Sequence, residues 1–186
     1  MRRLLALLLL VPLAAGAVPN AAPPRAAPAP RPLALDVTPT CCAITFTAYA
    51  FGVFPIAGSF GRFEGRLVYD PGDRAAAHAE ARISADSLNL DAGPIEADVK
   101  AQHFLDVDHF PLILFAAAAI PGEDGAMLQG MLTIKGVTRP VTLTITERDG
   151  RVTAEAMISR RAFGITARPV LAGDTITITV NAPLPR

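Results

Sequence analysis

The fold of this chain is decided by one stretch of its sequence, GMLTIKGVTRPVTLTI at residues 130–145. Within it, two runs of alternating apolar and polar residues flank the segment Lys135–Pro140. A period of two with many β-branched residues predicts two strands that each bury one face. Gly136 supplies backbone freedom for a turn, and Pro140 fits the first position of a strand, where a missing N–H is tolerated. The stretch therefore predicts an antiparallel hairpin with one apolar side.

The rest of the folded part predicts more strands of this kind, one short helix and turns between them. The further strands are expected at 44–51, 63–69, 78–84, 112–117, 151–159 and 175–182. The segment Gly52–Gly61 contains Pro55 and three glycines, which predicts a bend, and Asp70–Asp73 (DPGD) is a strong turn sequence. Residues 91–105 begin like a helix at Pro94. Its buried side is expected to contain Ile95, Val99 and Phe104.

About eight short strands joined by short turns are typical of a β-sandwich or a β-barrel. Several residues expected to point inward are small, namely Gly65, Ala79, Ala81 and Gly130. A sandwich core prefers bulk at such positions, whereas a barrel with an internal cavity needs space, and eight-stranded barrels can hold one small apolar ligand. The sequence thus predicts an all-β protein with an eight-stranded antiparallel barrel and one short helix.

The N-terminus predicts export. Arg2 and Arg3 precede an apolar run, Leu4–Leu13, and the small residues Ala15–Ala17 follow it, so residues 1–17 have the pattern of a secretory signal peptide. Residues 18–32 are almost entirely Ala and Pro and predict a semi-rigid linker. The folded domain is then 33–186, and the mature protein is expected in the periplasm or outside the cell.

Composition narrows the classes of partner. The 17 Lys and Arg residues balance the 17 Asp and Glu residues, so nothing favours nucleic-acid binding.

The two cysteines, Cys41 and Cys42, are adjacent. On a strand their side chains would point to opposite faces, so we expect one to pack as a small core residue and the other to be incidental. An intermolecular disulfide and a vicinal disulfide are the alternatives. No spacing typical of a metal site accompanies them.

No motif typical of catalysis occurs in the chain. There is no Gly-x-Ser-x-Gly elbow and no His-Glu-x-x-His helix. His103, Asp106 and His109 could form an acid–base or metal cluster, but only a specific loop geometry would bring them together. We interpret them as solvated loop residues, and we expect neither an enzyme nor a metal site.

Seven motifs of the chain occur in the order found in one family. They are Gly58–Gly65 (GSFGRFEG), Tyr69–Pro71 (YDP), Ile83–Leu88 (ISADSL), Asp98–Val107 (DVKAQHFLDV), Phe110–Phe115 (FPLILF), Gly130–Leu143 (GMLTIKGVTRPVTL) and Ile158–Ile165 (ISRRAFGI). With these motifs the chain resembles the YceI-like family over residues 36–182. That resemblance implies an extended lipocalin-like barrel whose interior tunnel binds a polyprenyl lipid or isoprenoid quinone without chemistry. It also agrees with a periplasmic location.

The ligand-binding residues follow from the apolar faces of the strands, which should line such a tunnel. We predict that the ligand contacts Phe46, Phe63, Leu67, Ile83, Phe115, Leu132, Ile134, Leu143, Phe163 and Ile165. No cofactor is expected apart from this bound lipid or quinone. The alternative is a stress-response or interaction module whose barrel is filled by its own side chains. A transient membrane contact and a homodimer are open as further partners.

The chain departs from the family pattern at three places, one of which is the unusual Ala/Pro linker at 18–32. Many members carry a His after the first strand, where this chain has Ala50. The Cys41–Cys42 pair is not a family feature. Any polar grip on a ligand head group is therefore not predictable from the resemblance.

Overall fold

A computed structural model describes residues 33–69, 76–91, 93–119, 127–168 and 172–183. The predicted signal peptide (1–17), the linker (18–32) and the turn Asp70–Asp73 lie outside the described residues. Within the described part, antiparallel strands dominate. Their bounds are β1 Leu33–Val37, β2 Ala43–Ala50, β3 Phe54–Phe60, β4 Phe63–Tyr69, β5 His78–Ser84, β6 Leu88–Leu90, β7 Leu112–Ala119, β8 Met127–Ile134, β9 Val137–Arg148, β10 Arg151–Ser159 and β11 Ala172–Pro183.

These eleven strands form one sheet that closes on itself. The sheet order is β1-β4-β5-β7-β8-β9-β10-β11-β2-β3-β6. Three pairs follow each other along the chain after a short break: β1 runs into β2, β3 into β4, and β5 into β6. Each pair acts as one interrupted strand, because β3 pairs with β2 and β6 while β4 pairs with β1 and β5. Counted this way, eight consecutive strands form a ring in which β11 pairs with β2. The predicted eight-stranded antiparallel barrel is confirmed, with three of its strands broken in two.

The hairpin β8–β9 has a tighter turn than the sequence predicts. Ile134 pairs with Val137, so only Lys135 and Gly136 form the loop, with φ angles of 51° and 73°. Two successive positive φ angles are typical of the type I′ turn, whose twist matches that of the flanking strands. Pro140 therefore lies inside β9, not at its first position. It is tolerated there because β10 pairs with β9 only from Thr144 onward, which leaves Pro140 at a locally free edge.

The bend predicted for Gly52–Gly61 is wrong, because most of this segment is strand β3. Pro55 is accommodated opposite Tyr49 near the strand's start. Gly58 is needed for packing: a Cβ there would lie 2.7 Å from Phe46 Cε1 and 2.8 Å from Leu90 Cδ2. The glycine that suggests a loop thus makes room for two large side chains inside the barrel.

The helix is shorter than predicted. A 3₁₀ turn, Gly93–Ile95, leads into α1, Glu96–Lys100, which the pair Lys100 Nζ–Glu96 Oε1 at 2.6 Å stabilises across one turn. Phe104, beyond the helix, is buried at 8% exposure, whereas Ile95 is 37% exposed. Ile95 is therefore not on a buried side. In the part of the chain that the structure describes, no helix has the length and apolar character needed to cross a membrane.

Cys41 and Cys42 are joined to each other by a disulfide. They lie between β1 and β2, so the alternation expected of strand neighbours does not apply to them. Cys42 is 8% exposed and packs in the core, as expected for one of the two. The expectation of an incidental second thiol is wrong, and neither sulfur is left for an intermolecular link.

Candidate ligand-binding cavity

The inward faces of the strands enclose an apolar cavity of about 630 Å³. Its size lies within the range of about 300–1,000 Å³ found for small-molecule sites. The alternation of β11 shows how the sequence builds the wall, since Ile176, Ile178 and Val180 line the cavity and the threonines between them do not. The strand residues that line it are Leu35, Val37, Ile44, Phe46, Ala48, Tyr49, Ala50, Ile56, Phe60, Arg66, Leu67, Ala79, Glu80, Ala81, Ile83, Leu88, Leu90, Ile113, Phe115, Leu128, Leu132, Ile134, Val141, Leu143, Ile145, Glu147, Val152, Ala154, Ala156, Ile158, Ala172, Gly173, Ile176, Ile178, Val180, Ala182 and Pro183.

The cavity runs along the barrel from end to end. Glu147, Val152 and Pro183 line it beside the β9–β10 turn. Phe51 and Ile95 line it where β2 turns into β3 and where the 3₁₀ turn leads into α1. Such a shape suits a long, thin ligand.

Alanines on the inner face create much of the space. Ala79, Ala81, Ala154 and Ala156 line the cavity from β5 and β10. The two predicted glycines act differently. A Cβ at Gly65 would meet the backbone of Glu80, and one at Gly130 would meet the backbone of Ala116. Neither glycine lines the cavity. They permit close approach of neighbouring strands instead of widening the tunnel.

The structure places eight of the ten predicted ligand-binding residues on the cavity wall: Phe46, Leu67, Ile83, Phe115, Leu132, Ile134, Leu143 and Ile165. Phe63 and Phe163 do not line it. They are 8% and 1% exposed and pack in the apolar core, near the end of the barrel where β8 turns into β9. The contact of the other eight with a ligand stays a prediction.

Many wall residues were missed by sequence reasoning. Residues 175–182 alternate strictly, with Ile176, Ile178 and Val180 on one face. This alternation is the signal that could have identified the three as wall residues. Leu88 and Leu90 belong to a three-residue strand, β6, which carries no detectable period of its own.

Arg160 is a buried cation at the cavity wall, with 3% exposure. Its Nη1 donates to Ile165 O and Ala167 O at 2.7 and 2.8 Å, Nη2 to Ala172 O at 2.7 Å, and Nε to Gly173 O at 2.8 Å. Through these four bonds Arg160 fastens the backbone of Ile165, Ala167, Ala172 and Gly173 to the end of β10. Four of its five N–H donors are thus committed to the fold.

A second polar contact connects Asp98 on α1 to Arg168, in the connection that follows β10. Asp98 Oδ2 accepts from Arg168 Nε at 2.8 Å, and Asp98 Oδ1 lies 2.8 Å from His103 Nε2. The hydrogen bond from Arg168, followed by that from His103, holds the pKa of Asp98 below its ordinary value despite some desolvation. Asp98 and Arg168 both line the cavity. The contact therefore lies beside the cavity end near Phe51.

The two histidines considered for catalysis belong to separate pairs. His103 pairs with Asp98, whereas His109 Nδ1 lies 2.7 Å from Asp106 Oδ1. Among the described residues, no group of three or more His, Cys, Asp or Glu is placed to hold a metal ion. Neither histidine lines the cavity. The cavity wall is predominantly apolar and can hold an apolar chain, and His103 and His109 lie outside that wall.

A closed antiparallel barrel with an apolar tunnel defines a lipocalin-like architecture. The sequence matches the family of the YceI-like domain over residues 35–184, and the chain belongs to that family. Curated relatives include a UPF0312 protein of Yersinia enterocolitica, 30% identical over 101 residues, and one of Enterobacter sp., 31% identical over 102 residues. Each match covers 54% of this chain and 53% of the relative, so the chain spans about half the length of the curated relatives it matches.

Solved structures share the fold at low sequence identity. BcnA of Burkholderia cenocepacia has a TM-score of 0.62 at 22% identity, covering 75% of this chain and 94% of BcnA. A polyisoprenoid binding domain from Saccharophagus degradans has a TM-score of 0.56 at 10% identity, covering 82% and 98%. The YceI protein of Campylobacter jejuni has a TM-score of 0.55 at 18% identity, covering 69% and 85%. These similarities establish the barrel fold.

Proposed function

We propose that this protein is exported and binds one long isoprenoid chain, a polyprenyl lipid or an isoprenoid quinone, inside its barrel without catalysis. The observation that carries the proposal is the apolar cavity that runs the length of the barrel. It favours a carrier over a module whose barrel is filled by its own side chains. Membership of the YceI-like family and the similarity to a polyisoprenoid binding domain support the same ligand class.

The binding energy can come from the tail alone. Burying hydrocarbon is worth about 0.8 kcal/mol per CH₂, so about ten buried groups supply roughly 8 kcal/mol, which corresponds to a Kd near 1 μM. Association and ordering of the flexible tail cost part of this gain. A tight complex therefore requires a tail longer than about ten carbons, and no specific contact to the head group is needed.

Organic extraction followed by mass spectrometry tests the proposal. The protein is purified from its native host, extracted, and its lipid quantified per chain. We expect one isoprenoid per protein and an intact mass for that lipid after prolonged incubation. A protein that is empty on purification and takes up neither a polyprenol nor a quinone would overturn the proposal. A lipid altered during incubation by the wild type but not by His103→Ala or His109→Ala would contradict the absence of catalysis.

Export is tested separately from binding. Removal of the predicted signal peptide would leave a mature chain that begins at Val18. We expect N-terminal sequencing of the cell-derived protein to start there and fractionation to place it outside the cytoplasm. A chain that retains residues 1–17 and stays in the cytoplasm would contradict export and leave the binding result unaffected.

A further inference from the structure

The turn between β2 and β3 exposes four large apolar side chains. Tyr49, Phe51, Val53 and Phe54 are 43%, 61%, 67% and 63% exposed, and together we call them the apolar tip. Isolated apolar residues on a surface are ordinary, but a contiguous group of them marks an interaction site. Other large apolar side chains are exposed at similar levels on other strands of the barrel wall, namely Leu112, Leu114, Met131 and Met157.

The backbone holds the apolar tip in a defined shape. Phe51 and Gly52 have φ angles of 53° and 74°, and Val53 N donates to Ala50 O at 3.1 Å. The rings of Phe51 and Phe54 meet edge to face, with centroids 6.4 Å apart. A left-handed conformation is uncommon at a residue other than glycine, and in this turn it accompanies the 61% exposure of Phe51.

The apolar tip is continuous with the cavity. Tyr49 and Phe51 line the cavity and are also exposed to the outside. Ile95, in the 3₁₀ turn before α1, has both properties as well. At this end of the barrel, Tyr49, Phe51 and Ile95 therefore connect the cavity wall with the outer surface.

Charge identifies the kind of partner. No charged residue occurs between Asp36 and Arg62, so the whole β2–β3 hairpin is neutral. Asp98 and Arg168, two charged residues that line the cavity, are paired with each other. Inserting this hairpin into hydrocarbon would bury no charge, the costliest part of entering a bilayer. Aromatic rings are also the side chains that membrane interfaces favour.

We propose that the apolar tip inserts into the surface of a lipid bilayer, so that an isoprenoid tail passes between the bilayer and the cavity without crossing water. This inference rests on the proposed function, because the ligand is a molecule that resides in membranes. The contact is apolar and shallow, so it does not depend on anionic lipid.

Co-flotation with phosphatidylcholine vesicles tests the insertion. We expect the wild type to float with the vesicles, and to do so equally in about 0.5 M NaCl, where electrostatic attraction is screened. The double variant Val53→Asp/Phe54→Asp should bind vesicles at least about tenfold more weakly, because it loses two apolar groups and introduces charge. Neither residue lines the cavity. The matched control is Met131→Asp on β8, which lies four strands away from β2 in the ring, and it should float like the wild type.

A second assay separates this inference from the proposed function. Uptake of a radiolabelled polyprenol from detergent micelles should be equal in the wild type and the double variant, whereas uptake from phosphatidylcholine vesicles should be slower in the variant. A thermal unfolding scan checks that the variants fold, and Val53→Ser provides a milder change if the double variant does not. A wild type that takes up polyprenol from micelles but does not float, or a double variant that floats like the wild type, overturns membrane insertion alone. A wild type that floats yet takes up no polyprenol from either source overturns the proposed function.

Discussion

Filling the cavity from inside should strongly weaken ligand binding without unfolding the protein. Ala154 on β10 offers the best site, because it lines the cavity and is only partly buried. In the variant Ala154→Phe, the ring adds about six carbon atoms to the space that a ligand would use. Displacing about four to six ligand carbons at 0.8 kcal/mol each removes roughly 3–5 kcal/mol of binding energy. The expected loss of affinity is therefore about 10²–10⁴-fold.

The assay is equilibrium binding of a radiolabelled polyprenol to purified protein, read beside a thermal unfolding scan. Intrinsic tryptophan fluorescence is not usable, because the chain contains no Trp. Ala154→Leu should give a smaller loss than Ala154→Phe, since it fills less of the tunnel. Met157→Phe is the matched control on the same strand, because Met157 is 73% exposed and points away from the cavity.

The reasoning is refuted if folded Ala154→Phe binds the polyprenol as tightly as the wild type. That result would mean that the ligand occupies a site outside the barrel. Equal losses in Ala154→Phe and Met157→Phe would also refute it, because an outward ring cannot occupy the tunnel.

Three further predictions concern the framework around the cavity. Arg160→Met leaves buried carbonyls without a donor, so it should lower the free energy of unfolding by about 3 kcal/mol in chemical denaturation. A loss below about 1 kcal/mol contradicts the fastening role of Arg160. In Gly136→Ala, the alanine must hold a φ of 73° with its Cβ 2.7 Å from Phe110 Cε1. The free energy of unfolding should therefore fall by about 1–2 kcal/mol or more in chemical denaturation. A neutral result argues against the tight turn. The hydrogen bond that His109 donates to the Asp106 carboxylate, followed by the charge of that carboxylate, raises the pKa of His109 above 6.5. That stabilisation is present below pH 6.5 and lost as the pH rises through the raised pKa, so the thermal midpoint should fall across that window in the wild type and not in Asp106→Asn. Identical pH profiles would contradict the pairing.

The hairpin β8–β9 and the strands with strict alternation could be predicted because a period of two depends only on local sequence. β3 could not, since Pro55 and Gly58 are ordinary loop signals until the ring of Phe46 is known to occupy the space above Gly58. β1 and β6 are five and three residues long, too short to carry a period. They form because a longer strand is interrupted, which only the pairing of the whole sheet determines.

Local sequence also predicts only part of the cavity wall. Alternation tells which side chains point inward, and eight of the ten chosen residues do line the wall. It does not tell how far along the barrel axis a residue lies, because that depends on the stagger between strands. Phe63 packs in the core beside the β8–β9 turn, and Phe163 lies in the 3₁₀ turn Arg160–Phe163, where strand alternation does not apply. Strand β11 shows the reverse case. Its alternation is plain in the sequence, and Ile176, Ile178 and Val180 line the cavity, yet none of them is among the ten predicted ligand contacts.

Photo-crosslinking tests most directly whether an isoprenoid chain occupies the barrel. A polyprenol with a photoreactive group near the middle of its tail is bound, irradiated and located by peptide mass spectrometry. The account predicts crosslinks to inward residues such as Leu132 and Ile178, and competition by unlabelled polyprenol. Crosslinks confined to outward neighbours such as Met131 and Thr177 would contradict it.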